Sequence, residues 1–501
     1  MVYYAVNAFP ILIVYHIFKN LLEDRMMIIA LFIYFLLLLL IGIYANKKTG
    51  KTPEDYFLAN RSFGPIILFF TIAATNFSAF TFLGFAGKAY TSGFGQYGIM
   101  AFGTGMMAIM FYVIGRKVWI LGRKRRYLTP AELIGDRFSS PSLRMLFMLV
   151  MVAFTIPYLA IQAIGAGYII QYIFPGISMK FGAILVTIII TFYVMAGGMK
   201  ASGWTDVLQG VIMIVAMVLA FIFVAHGLGG FEVATKNAYE ANPSLFSRPG
   251  NGFFTPQIWL SFMLLWIFCD PMFPQIFSRF YTAKSEKSLQ VSMIFYPIIV
   301  SLLFFFPVII GIWANAAPIE ILPGNEDAVL PLMVKNFAPY PVFGFVMLGA
   351  LAALMSTADS QLLSISSMIS HDIPLIKRKK VIATRIMVLL LSLFTIFFVI
   401  FSYDPTVGIM GTLVNTTFSG LIVLSPITLA ILYWKRVTKW GCIAGIVFGE
   451  SMVFLYKYIP LPTYGFLPGI IAFLFTTIVM IFVSLFTKQQ PDKILDEYFE
   501  N

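Results

Sequence analysis

Apolar residues along this chain follow neither the alternation of a half-buried strand nor the single stripe of a surface helix. They come in runs of about 20 residues, the length an α-helix needs to cross ~30 Å of hydrocarbon, separated by short polar segments. Thirteen runs are expected, near 26–45, 64–86, 96–115, 145–173, 179–197, 206–226, 256–278, 289–314, 340–369, 381–402, 407–433, 440–456 and 463–486. Several exceed the minimum crossing length, which leaves room for tilt. The pattern predicts an all-α polytopic membrane protein with about 13 transmembrane helices in one domain over 26–486.

Two of these runs are interrupted. The second, ILFFTIAATNFSAFTFLGFAG, puts Thr75, Asn76 and Ser78 near mid-membrane among small residues. Five spans later, FMLLWIFCDPMFPQIFSRF carries Asp270 followed by Pro271 and Pro274. Proline removes a backbone donor and disfavours helix at the residue before it, so Asp-Pro at membrane depth reads as a helix break. Breaks heading two successive five-span blocks point to an inverted-repeat core, about 64–226 and 256–433, with its site at the midplane. On pattern alone, a pair of unrelated packing kinks is the other reading. Asp270 is costly at that depth and is expected to face a cavity or a partner.

The ninth run, FGFVMLGALAALMSTADSQLLSISSMIS, adds a stripe of small and hydroxyl residues. At roughly 100° per residue, Gly349, Ala353, Ser356, Thr357, Ser360 and Ser364 share about a 100° arc, with Asp359 about 60° to one side of Ser356. Such a stripe suits close helix approach and hard oxygen ligation. It equally suits packing with hydroxyls bonded to their own helix, and the residues alone do not choose. Asp206, in GGMKASGWTDVLQG, opens the sixth run, where helix capping accounts for it.

Composition agrees with the membrane reading: 60% of the 501 residues are hydrophobic and 11% charged, against about a quarter charged in soluble domains. The net charge of +12 reports topology. With the first span starting outside, most lysines and arginines fall in inner loops, including the cluster from Arg116 to Arg144, together with Arg279, Lys284 and Lys287. Only Lys88, Lys180, Lys236, Arg248, Lys335 and Lys457 fall in outer loops. A cell-membrane protein with an external start to the first span and a cytoplasmic tail, 487–501, follows. Residues 1–25 read three ways: a further span, an interfacial helix, or sequence upstream of a start at Met26 or Met27. No basic stripe with interleaved aromatics, glycine-rich phosphate loop or zinc-finger spacing occurs, which excludes nucleic acid as a partner. His16, His226 and His371 have no metal-ligand spacing and no nucleophile elbow is present, so an enzyme is not expected. Cys269 and Cys442 sit inside apolar runs as small buried residues. The segment 227–255 reads as a Gly, Asn and Pro rich outer loop, and a helix is expected to start after Thr129 with Pro130 first.

FLANRSFG, AATNFSAFTFLGFAG, GGMKASGWTDVLQG and ALMSTADSQLL, in that order, resemble the sodium:solute symporter family from about residue 26 to the end. The resemblance implies thirteen spans around a leucine-transporter-type core. It also implies a Na+ site between the second and ninth spans, made by the carbonyls of Ala74, Phe77 and Ala353 and the hydroxyls of Ser356 and Thr357. Some relatives take a second sodium, for which Asp206, Ser356, Asp359 and Ser360 would serve here. Solute contacts carried over from the family fall on Thr75, Asn76, Gln162, Trp266 and Asp270. Asp270 replaces an aromatic residue of the proline carriers and Asn76 an acidic one, so this is not simply a proline carrier. The expectation is a sodium-coupled symporter importing a small polar organic solute (an amino acid, organic acid or sugar-like compound) by alternating access. Proton coupling, uncoupled transport and a sensor working with a partner stand as alternatives.

Overall fold

The computed structural model describes residues 2–50, 52–374, 379–401, 409, 411, 413–491, 495 and 498–499, without the side chains of 2–24, 104 and 413. What residues 1–25 do turns on side chains outside that set, and the expected start of the eleventh run at 407 also lies outside it.

Among the described residues the architecture is helical throughout. Helix Val2–Lys48 holds the first span in Arg25–Lys48. The second is a bent pair, Pro65–Asn76 and Phe80–Ser92, with 62° between its halves, and Gly95–Arg125 and Pro141–Ile173 follow. Met179–Gly227 supplies two spans and Pro256–Met272 with Pro274–Thr282, bent by 57°, the seventh. Glu286–Trp313, Tyr340–Asp372, Lys380–Phe401, Val414–Tyr433 and Pro468–Phe486 are further membrane-length apolar helices, and Lys439–Tyr458 is a helix at the twelfth expected run. The helices start where Ser or Thr can accept an orphan amide and proline can occupy the first turn without losing a bond. Ser140 before Pro141, Thr255 before Pro256 and Thr129 before Pro130 all do this, the last as expected. Segment 227–255, expected as loop, instead folds a helix over Phe231–Ala241. Its Ala234 and Ala238 face inward while its charged residues stay outside.

Among the described residues the ninth and eleventh spans are the most enclosed, 78% and 83% buried, against 28% for the first and the tenth, which carry exposed side chains such as Phe32 and Phe397. Small residues bring the ninth span close to its neighbours, and Gly349 leaves the room that the Ala216 methyl fills.

Met179–Gly227 is helical for 49 residues, about twice what one crossing needs. Lys180 near its start donates to Ile400 O at 2.9 Å, and Gly227 at its end packs against Phe337. Those two contacts mark the end of the tenth span and the start of the ninth, which lie on one face because the ninth and tenth spans run antiparallel. The 49-residue segment therefore goes down and returns, reversing at Gly198, whose φ of +58° and ψ of −152° suit glycine alone. Tyr56, on the short helix Pro53–Leu58, braces the turn by donating to Val194 O and Met195 O at 3.2 Å. Helix resumes directly after Gly198, which places Asp206 inside the span and corrects its expected capping role.

Candidate functional site

The break in the second span releases two carbonyls. Phe77 leaves the helix at ψ 118°, and the amide of Ser78, which a continuous helix would aim at Ala74 O, turns to Thr81 Oγ1 instead. Thr81 N bonds Ser78 O, which frees Phe77 O as well. Both carbonyls are met by the ninth span. Ser356 Oγ donates to Ala74 O at 2.8 Å and to Ala353 O at 3.0 Å. Thr357 Oγ1 donates to Phe77 O at 2.7 Å and to Ala353 O at 3.1 Å. Five neutral oxygens from two spans thus converge in the buried interior, the donor set a hard monovalent cation takes.

Beside them lies a closed charged chamber. Arg279 Nη2 is 3.4 Å from Asp206 Oδ2, with both side chains wholly buried. Its Nε donates to Thr71 Oγ1 at 2.8 Å, and Nη2 also to Ser202 Oγ at 3.0 Å and Ser360 Oγ at 2.5 Å. Thr71 donates to Asp206 in turn. Asp359 accepts from Tyr193 OH at 3.0 Å, Ser202 Oγ at 3.1 Å and Ser360 Oγ at 3.0 Å. One guanidinium and two carboxylates are knitted together by hydroxyls, as buried charges require.

On the other side of the second span, a cavity of about 20 Å³ is lined by Asn76, Trp266, Asp270, aromatic rings and two methionines. Asn76 Nδ2 donates to Asp270 Oδ2 at 3.0 Å and to Tyr296 OH at 2.6 Å. Asp270 Oδ1 and Trp266 Nε1 have no hydrogen-bond partner. Towards the face opposite the Arg123–Arg126 cluster opens a vestibule of about 410 Å³, lined among others by Lys88, Phe262, Glu326 and Asp327. Phe262 stacks on Trp266, which with Phe80 and Phe418 separates vestibule from cavity.

The expected site residues therefore fall into three groups. Ala74, Phe77, Ala353, Ser356 and Thr357 come together as one oxygen cluster. Asp206, Asp359 and Ser360 come together apart from Ser356, around Arg279. Asn76, Trp266 and Asp270 line the cavity, while Thr75 bonds Ser360 in the chamber at 2.9 Å. Gln162 gives Oε1 to the amide of Ala79 at 3.1 Å and Nε2 to Tyr158 O at 3.2 Å, so it closes the helix break. Arg279 was expected as an inner-loop charge and is instead a fully buried member of the seventh span's second half; Arg137, from the Arg116 to Arg144 cluster, and Arg61 are buried too. Sequence signals for Arg279 existed only in its neighbours, since PQIFSRF is flanked by apolar residues on both sides.

Among the described residues, membrane-length apolar helices, with two bent pairs at an oxygen cluster and a polar-aromatic cavity, have the architecture of a secondary transporter. The model of the sodium:solute symporter family matches residues 56–449, and the chain belongs to that family. It is 27% identical to the symporter YhjB of Bacillus subtilis (strain 168), over 94% of this chain and 99% of that one. It is also 27% identical to the sodium/pantothenate symporter of Escherichia coli (strain K12), over 93% and 97%. The solved structure of a Na+-coupled sialic acid symporter in a substrate-bound outward-open state shares the fold, with TM-score 0.76, 20% identity and coverage of 93% and 98%. The protein is a multi-pass membrane symporter that couples solute uptake to sodium, and not an enzyme.

Proposed function

We propose that the driving sodium binds the carbonyls of Ala74, Phe77 and Ala353 and the hydroxyls of Ser356 and Thr357. The observation carrying this is the pair of hydroxyl contacts from the ninth span to the carbonyls freed at the second-span break. Sodium taken there ties the two spans in one arrangement. Solute then occupies the cavity between Asn76, Trp266 and Asp270, and rocking of the core opens it to the face bearing the Arg123–Arg126 cluster, the cytoplasmic side by its charge. Coupling arises because both ligands favour one state; a ligand indifferent to the two states drives nothing. Each sodium moving down ~100 mV contributes about 2.3 kcal/mol from voltage alone.

The second-sodium set contains a cation already. Arg279 stands among Asp206, Ser360 and Thr71 and offsets one of the two carboxylates there, so the ratio of sodium to solute is a quantity to measure. The test is solute uptake into proteoliposomes under an imposed sodium gradient, with reversal potentials for the ratio. Ser356→Ala with Thr357→Ala should abolish sodium dependence; undiminished sodium-driven uptake in that variant rejects the assignment. Buried Asp206, Asp270 and Asp359 favour proton coupling as a second reading, which uptake driven by a pH gradient without sodium would support.

A further inference from the structure

We propose that the solute is a small organic cation, an ammonium compound with no carboxylate of its own, bound with its charged nitrogen against Asp270 and the aromatic rings of the cavity. This rests on reading the cavity as the solute site.

The first argument is charge. Asp270 is 4% exposed and half satisfied: Asn76 holds Oδ2 and nothing holds Oδ1. A buried carboxylate lacking a counter-charge is expensive, yet the residues lining this cavity include no lysine, arginine or histidine. Arg279, nine residues along, is committed to Asp206, Thr71, Ser202 and Ser360 on the other side of the second span. The missing positive charge is one that a ligand would bring.

Shape and lining give the second. Phe80, Phe85, Tyr158, Trp266, Phe304 and Phe418 line the cavity with the carboxylate, and aromatic rings attract a desolvated cation. The volume, about 20 Å³, admits roughly one water, so the rings must part for even a compact solute.

The third argument concerns anions at the first break. Broken helices bind carboxylates through free amides, but in the second span those amides are already used. Ala79 N is taken by Gln162, Phe80 N by Ser78 Oγ and Thr81 N by Ser78 O. At the second break, residues 271 and 274 are prolines and Phe273 N bonds Asp270 O, while the helix from Pro274 starts without a side-chain cap beside the Asp270 carboxylate, whose charge opposes an anion there. The approach agrees: Glu326 and Asp327 line the vestibule against Lys88, whose ammonium lies 3.3 Å from the Phe253 ring centre.

The test uses the full-length protein in detergent, following its thermal unfolding midpoint in NaCl and in KCl. The probes are choline and tetramethylammonium, the uncharged choline isostere 3,3-dimethylbutan-1-ol, the zwitterions glycine betaine and proline, and the anion pantothenate. Choline or tetramethylammonium should raise the midpoint in NaCl, with no comparable shift from the isostere, the zwitterions or pantothenate. Asp270→Asn should weaken the cation response by about tenfold or more, equivalent to about 1.4 kcal/mol, while keeping the sodium response that reports an intact fold. Phe418→Leu should weaken it less. Equal cation shifts in wild type and Asp270→Asn would place the cation elsewhere and overturn the proposal. So would a shift with pantothenate, proline or betaine alone, or sodium stabilisation with no response to either cation. If sodium itself leaves the wild-type midpoint unmoved, it is the oxygen-cluster assignment that fails, a separate result.

Discussion

The Arg279 guanidinium lies 3.4 Å from the Asp206 carboxylate, and neither side chain is exposed. Two residues far apart in sequence thus pin the second half of the seventh span to the sixth. Removing one partner of a buried pair leaves the other uncompensated and costs about 3–5 kcal/mol. Asp206→Asn and Arg279→Met should each lower the unfolding midpoint sharply, and the double variant should lose much less than the sum, as measured in a double-mutant cycle. Additive losses would show that the pair does not interact.

Gln162 is the acceptor for the Ala79 amide at the helix break. Gln162→Leu leaves that donor buried and unpaired, at a cost of about 1–3 kcal/mol. Thermal unfolding should register the loss, while the sodium-induced shift in midpoint persists because none of the five clustered oxygens is touched.

Gly198→Ala should be among the least tolerated glycine replacements. A Cβ there would lie 2.7 Å from Tyr56 O in a backbone region closed to other residues. The strain is of order 1–3 kcal/mol, and reduced yield of folded protein by size-exclusion chromatography is the readout.

Asp327, in the loop between the eighth and ninth spans, gives a pH signature. Burial lifts its carboxyl to about 6, with the Ile409 amide at 2.9 Å opposing the rise. The folded protein therefore holds a proton that the unfolded chain, titrating near ~4, has released. Folded stability from this group is greatest below ~4 and is lost as pH climbs to about 6. Asp327→Asn should flatten that stretch of the midpoint-against-pH curve; an unchanged slope would assign it to another group.

The spans were legible because crossing hydrocarbon demands long apolar runs, and both breaks were legible because Asp-Pro and Ala-Thr-Asn interrupt such runs with polar residues, although pattern alone did not separate a site from packing kinks. The oxygen cluster came from the ninth-span stripe only with the family resemblance, since spacing did not separate ligation from packing. What stayed hidden was pairing across space. Arg279 read as a loop charge because a lone arginine beside a run's end reads as its boundary, and only the fold brings Asp206 to it. Thr75 and Gln162 came as solute contacts from the family resemblance, and in the fold their side chains bond Ser360 and the Ala79 amide.

Thr75, Asn76 and Phe77 follow one another in the chain, yet each addresses a different compartment: the hydroxyl of Thr75 bonds Ser360 beside Arg279, the amide of Asn76 holds Asp270 at the cavity, and the carbonyl of Phe77 receives Thr357. Adjacent Cα atoms are about 3.8 Å apart. A rotation of this short stretch, whatever starts it, registers at all three places together, so the proposed ion and solute sites share one covalent backbone. Because linkage between two bound ligands is reciprocal, a solute analogue that locks Asn76 in place should tighten sodium by the same factor that sodium tightens the analogue.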